Sequence, residues 1–178
     1  MDSPTLQRRL RAVFDARVFN HGDYNLVYGQ PSGSSAPLII GYRHAPLEMV
    51  LCPVDPAAPE EAPAQPVPAA VDTPGGPVTA SLPLPVVSVA LENVATLADT
   101  GTGYQVETVT GFRTWFDVAE RVWVPVGDAT EDGTALLEQD DDAADFHAFM
   151  TAFMDELDRL YAPADGDPSP DLHSTDGG

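Results

Sequence analysis

Lysine is absent from this 178-residue chain. All eight basic residues are arginine: Arg8, Arg9, Arg11, Arg17, Arg43, Arg113, Arg121 and Arg159. Without lysine there is no phosphate-cradling loop ending in Gly-Lys-Ser/Thr, and no lysine Schiff-base chemistry. The shortage of positive charge is as informative. Eight arginines against 28 acids leave a formal net charge of -20. Affinity for nucleic acid and for anionic lipid rests on clustered cations, so no nucleic acid partner and no stable membrane association are expected. Cysteine is nearly absent as well. Cys52 stands alone, so no internal disulfide can form and nothing points to an oxidising compartment. No apolar run of about 18 residues occurs, and Met1 to Arg17 has no continuous apolar stretch of the signal-peptide kind. The expectation is a soluble, cytoplasmic protein. A lysine-free chain rich in Asp, Ala, Val and Pro suits a GC-rich or halophilic prokaryotic host.

An apolar content of 43% is enough for a real core, and the length suits one domain of roughly 100–150 residues with appendages. Charge is uneven along the chain. Residues 1–17 carry four arginines against Asp2 and Asp15, a net of +2. Residues 128–178 carry fifteen acids against Arg159, a net of -14.

Residues 1–17 read as a short helix. Ser3 is the expected N-cap and Pro4 suits the first helical position. Leu6, Leu10, Val13 and Phe14 share a face, and Arg8, Arg9 and Arg11 fall elsewhere on the wheel. Residues 18–161 read as one β-rich domain. Tyr24, Leu26 and Tyr28 alternate; Leu38 to Tyr42 is a short apolar run; His44-Ala45-Pro46 looks like a hairpin tip; Leu47 to Val54 returns as a third strand. Cys52 is a small core residue in that strand. Residues 53–85 hold ten prolines and are expected to form an irregular loop inserted into the domain.

Strands resume at Val86 to Leu91. Tyr104, Val106 and Thr108 alternate, then Phe112, Thr114, Phe116 and Val118, then Val122, Val124 and Val126. Trp115 and Trp123 fall on the opposite phase and are expected to share a sheet face. They mark either a binding patch or a surface covered by another element. Asp140-Asp141-Asp142 opens the strongest helix, with Phe146, Phe149, Met150, Phe153, Leu157, Leu160 and Tyr161 at spacings of three and four. Acids at its start and Arg159 near its end complement the helix dipole. Residues 162–178 are expected to be a disordered acidic tail.

Few constellations suggest chemistry. Asp99-Thr100-Gly101 matches the triplet of aspartic proteases, but Thr102-Gly103 makes it read as a turn. His21 with Asp23, and His44 with Glu48, are too few for a metal centre. His147 and His173 are isolated. No catalytic, cofactor-binding or metal-binding residue is assigned. The candidate partner-binding residues are Trp115, Trp123, Arg8, Arg9 and Arg11.

The order of elements, with Leu38-Ile39-Ile40-Gly41-Tyr42-Arg43, Glu48-Met49-Val50-Leu51, Val89-Ala90-Leu91-Glu92-Asn93-Val94, Thr108-Val109-Thr110-Gly111-Phe112 and the helix from Asp142 to Tyr161, resembles bacterial pleckstrin-homology-like domains. The resemblance implies an α+β fold: a seven-stranded antiparallel barrel or sandwich closed by a C-terminal amphipathic helix, here preceded by a short N-terminal helix. It also implies a protein-binding or scaffold module that can self-associate. Lipid-binding members carry basic residues in the first inter-strand loop, whereas Pro31 to Pro37 holds no charge. The function read from the sequence is a non-enzymatic protein-binding or scaffold module with an unidentified protein or peptide partner. The alternatives are an acidic adaptor similar to secretion chaperones, which needs a middle helix between its strand groups, and a small hydrolase.

Overall fold

The computed structural model describes residues 1–19, 23–32, 36–54, 85–126 and 133–162. Most of the proline-rich segment and all but Ala162 of the acidic tail lie outside the described residues, as do His21 and His173. A middle helix of the secretion-chaperone kind would also fall in that undescribed proline-rich segment.

The chain runs α1 (Ser3–Arg17), β1 (Asn25–Pro31), β2 (Leu38–His44), β3 (Leu47–Pro53), β4 (Val87–Ala90), β5 (Val94–Asp99), β6 (Tyr104–Thr108), β7 (Arg113–Asp117), β8 (Arg121–Pro125), β9 (Thr134–Glu138) and α2 (Asp140–Tyr161). Seven strands form one antiparallel sheet in the order β4-β3-β2-β1-β7-β6-β5. It curls into a nearly closed barrel, so that side chains from both of its halves meet in one core. This is the expected α+β architecture, with one helix at each end of the chain.

Two strands were not anticipated. β5 completes the seven-stranded sheet, and β9 pairs with β8 in a separate two-stranded hairpin. Val122 and Val124 therefore belong to the hairpin and not to the barrel.

Alternation decides which side chains enter the barrel. Tyr104, Val106 and Thr108 on β6, and Thr114 and Phe116 on β7, are buried while their neighbours face outward. The bulky stripe of α2 closes this interior: Ala143, Phe146, Phe149, Met150, Phe153 and Leu157 are all buried. The stripe stops there. Leu160 and Tyr161, expected to continue it, are exposed.

β2 shows why its sequence is an unbroken apolar run. Leu38, Ile39, Ile40, Gly41 and Tyr42 are all buried, as in a strand covered on both faces. The inner face meets α2. The outer face carries Ile39, Val50 and Cys52 against α1 and the β8–β9 hairpin, with Leu6, Phe14, Val122, Val124, Ala135 and Leu137 buried in the same cluster. The molecule thus has two cores, one on each side of β1–β3.

Two glycines fit the layers together. A Cβ on Gly41 would run into the Phe14 ring, so the missing side chain lets α1 lie down on the sheet. Gly103 has φ +140 and faces the Phe116 carbonyl so closely that no side chain fits there.

Asp2, not Ser3, occupies the N-cap position of α1. The Ser3 hydroxyl is used elsewhere. It accepts the Glu138 N–H at 2.9 Å and donates to the Glu138 carbonyl at 3.3 Å, binding the start of α1 to the end of β9.

Candidate functional site: an open stretch of strand edge

β1 lies between β2 and β7, but it pairs with β7 only through Gln30 and Pro31. The rest of that edge must be satisfied in another way. Which main-chain groups face it follows from the ladder. Val54 N–H donates to the Pro37 carbonyl at 2.8 Å, so alternate residues of β2, Ile39 and Gly41, turn their main chain toward β3. Their partners on β1, Tyr28 and Leu26, therefore turn theirs away from β2.

Tyr28 is answered by a side chain. Its N–H donates to Gln139 Oε1 at 2.8 Å, and its carbonyl accepts from Gln139 Nε2 at 3.0 Å. The same Nε2 donates to the Ala119 carbonyl at 2.7 Å. The buried amide stands in for a neighbouring strand at the point where β1 parts from the chain after β7. Tyr24, just before the strand, has its carbonyl contacted by both terminal nitrogens of Arg11 at 3.5 Å. Leu26 lies between them. Among the described residues, its N–H and carbonyl have no hydrogen-bond partner.

A cleft of about 400 Å³ opens over this point, bounded by α1, β1, the end of β9 and the start of α2. Leu10, Leu26 and Leu137 give it an apolar wall, and Arg8, Arg11 and Asp142 its charged groups. The charged lining sums to +1 on a chain of net charge -20. Arg8 donates to Thr5 Oγ1 at 3.0 Å and reaches the Pro4 carbonyl at 3.4 Å, both within α1. Burial pushes the Asp142 carboxyl above its ordinary range; the Asp141 charge adds to this, and Arg11 opposes it. Beside the cleft lies a trough of about 260 Å³ lined by Glu138, Asp140, Asp141 and Asp142 with Gln7 and Gln139.

The predicted site residues fall in two places. Arg8 and Arg11 line the cleft; Arg9, on the same helix, is half-buried and does not. Trp115 and Trp123 do not share a sheet face as expected. Trp115 is on β7 of the barrel and Trp123 on β8 of the hairpin. Neither is covered by α2: they are 40% and 64% exposed. The Arg113 guanidinium sits 5.9 Å from the Trp115 ring centre and pairs with Glu107 at 2.8 Å.

The other polar residues singled out in the sequence are engaged in contacts within the fold. Asp99 Oδ1 accepts the Gly101 N–H at 2.7 Å, and the Thr100 N–H donates to the Gly103 carbonyl at 2.9 Å, so the protease-like triplet is the turn between β5 and β6. Glu48 accepts from Tyr24, Ser88 and Arg43, and not from His44. His44 pairs instead with Asp145 on α2 at 3.2 Å, and the same Asp145 oxygen accepts from the Tyr42 hydroxyl at 2.8 Å. Burial pushes Asp145 up, but the bonds from Tyr42, His44 and Asn25 outweigh it and hold the carboxyl below its ordinary value. Tyr104 OH and His147 Nδ1 lie 2.6 Å apart, and burial pushes the Tyr104 hydroxyl to about 12. Among the described residues, no group of three or more His, Cys, Asp or Glu is placed to hold a metal ion, and no helix is long and apolar enough to cross a membrane.

Gln139 escaped the sequence reading. A single polar residue between a strand and an acidic helix start has no periodic signature, and its three hydrogen bonds reach segments 111 and 20 residues away. No family model matches the chain, and no curated protein or solved structure shows significant similarity to it.

Proposed function

We propose that this chain is a protein-binding or scaffold module on a pleckstrin-homology-like framework, working in the cytoplasm without catalysing a reaction. The observation that carries the reading is the pair of exposed tryptophans. The other large aromatics of the barrel strands and of α2's buried stripe lie inside, yet Trp115 and Trp123 project outward from paired strands. A tryptophan held on a strand offers a large contact area at little cost in conformational entropy, and tryptophan is enriched among the residues that dominate protein interfaces. The acidic surface argues for a protein partner over nucleic acid.

Capture from a lysate of the native organism tests this, with the wild-type chain and a Trp115→Ala/Trp123→Ala double variant as bait. Both baits should unfold at the same urea concentration. The expected result is a protein retained by the wild type and reduced about tenfold or more on the variant. Equal retention by both, with folding confirmed, would remove the support for the reading.

A further inference from the structure

We propose that the cleft between α1 and β1 is a strand-addition slot for the C-terminal end of a partner polypeptide. Leu26 supplies the main-chain bonds and Arg11 the contact to the terminal carboxylate. This rests on the reading of the chain as a protein-binding module and specifies what one of its surfaces binds.

The argument begins with the strand edge. Gln30 is met by β7, Tyr28 by the Gln139 amide and the Tyr24 carbonyl by Arg11, which leaves the outward N–H and carbonyl of Leu26 facing the cleft. A donor and an acceptor on one residue of an extended strand form the unit to which another extended chain adds. The slot is short. Gln139 already holds the pairing groups of Tyr28, so an added chain passes that amide unpaired, pairs across about one residue at Leu26 and stops at Arg11. That favours a chain end over a segment passing through.

Charge selects which end. The cleft carries Arg8 and Arg11 on its α1 side, against Asp142 at the start of α2 and the acidic trough of Glu138, Asp140 and Asp141 beside it. Both terminal nitrogens of Arg11 reach the Tyr24 carbonyl only at 3.5 Å, so a carboxylate, which accepts shorter and stronger bonds from the same fork, displaces that contact. An antiparallel addition to β1 runs from the Tyr28 side to the Tyr24 side and delivers its carboxyl end to Arg11. The apolar wall of Leu10, Leu26 and Leu137 then accepts an apolar last side chain.

Two random decapeptide libraries provide the probe, identical except that one ends in a free carboxylate and the other in a carboxamide. Both are passed over the full chain, and retained peptides are titrated while amide hydrogen exchange is followed at Leu26. The expected result is retention of free-carboxylate peptides with apolar ends, binding about tenfold or more tighter than their amides, and Leu26 exchange slowed about tenfold or more. Arg11→Gln, an exposed substitution, should weaken them about tenfold, Arg8→Gln should weaken them less, and Trp115→Ala should leave them unchanged. Equal retention of acid and amide peptides would overturn the slot, as would unchanged Leu26 exchange. Peptide binding lost with Trp115→Ala but not with Arg11→Gln would overturn the slot while leaving the binding-module reading in place. Concentration-dependent dimerisation that protects the Leu26 amide without peptide would assign the edge to a second copy and overturn the proposal.

Discussion

The two faces of β1–β3 are buried in different ways. On the inner face the covering element is one long helix, and the packing is aromatic. Tyr42 lies 5.2 Å from both Phe146 and Phe149 between ring centres, Tyr104 lies 5.8 Å from Phe146, and Phe149 lies 5.5 Å from Phe153. On the outer face the cover is two small pieces, α1 and the β8–β9 hairpin, and the packing is mostly Val, Leu and Ile around Phe14. The seam of that outer cover is held by side chains bonded to strand main chain, Ser3 to Glu138 and Gln139 to Tyr28. A single helix with a continuous stripe seals a barrel. Two pieces meeting over a sheet leave a seam, and the cleft over Leu26 lies in it. The inner face is closed by one element, and on the outer face, among the described residues, the Leu26 main chain faces the cleft.

The sharpest way to break this contrast is to remove one ring from the inner face. Phe149 is fully buried and touches three aromatic neighbours besides His44. Phe149→Ala should cost about 3–5 kcal/mol, since the surrounding rings cannot collapse into the space. Urea unfolding followed by tryptophan fluorescence reads the loss. A cost below about 1 kcal/mol would mean that α2 does not share the barrel's core.

The outer face should respond locally. In Gly41→Ala the new methyl meets the buried Phe14 ring, which has a strand behind it and the body of α1 above it. Overpacking of this kind costs about 1–3 kcal/mol. α1 can relieve the clash by lifting, so hydrogen exchange should quicken across Ser3–Arg17 and stay slow in α2. Equal acceleration in both helices would show that the two cores unfold as one, and the contrast would fail.

This division also explains what the sequence revealed and what it hid. α2 and strands β1–β3, β6 and β7 were legible because each carries its own pattern: the Phe146 to Leu157 stripe, or alternation such as Tyr104, Val106 and Thr108. β5 was hidden because the burial of Val94 to Asp99 does not alternate and the strand contains a register shift between Val94 and Thr96. β9 was hidden because Leu136 and Leu137 are adjacent apolar residues beside acids, although only Leu137 is fully buried. The second core left no local sign, since it joins Leu6 and Phe14 to Val122 and Leu137 across most of the chain. Trp115 and Trp123 could be read as outward-facing from their phase, yet their separation into two sheets depended on β9. Arg8 and Arg11 were visible as a basic cluster. What they line was not, because the edge beside Leu26 is shaped by Gln139, which bonds Tyr28 from more than a hundred positions away.

Two acids one turn apart on α2 test the contrast at its smallest scale. Asp145 bonds across to Tyr42 and His44 and is held below its ordinary value, while Asp142 lines the cleft and is raised. A lowered carboxyl contributes stability that is present above its unfolded value of 3.8 and is lost as pH falls through the lower folded value. A raised carboxyl does the reverse: the folded state takes up its proton first, so stability rises as pH falls from that raised value toward 3.8. Asp145→Asn should therefore flatten the acid loss of stability, and Asp142→Asn should steepen it. The side chain of Asp145 is 47% exposed, so screening keeps its share below about 1 kcal/mol. Urea midpoints taken between about pH 6 and about pH 2 for the two variants supply the slopes. Changes of the same sign would mean that the cleft carboxylate is as well supported as the one facing the barrel, and that the seam is no more open than the rest of the surface.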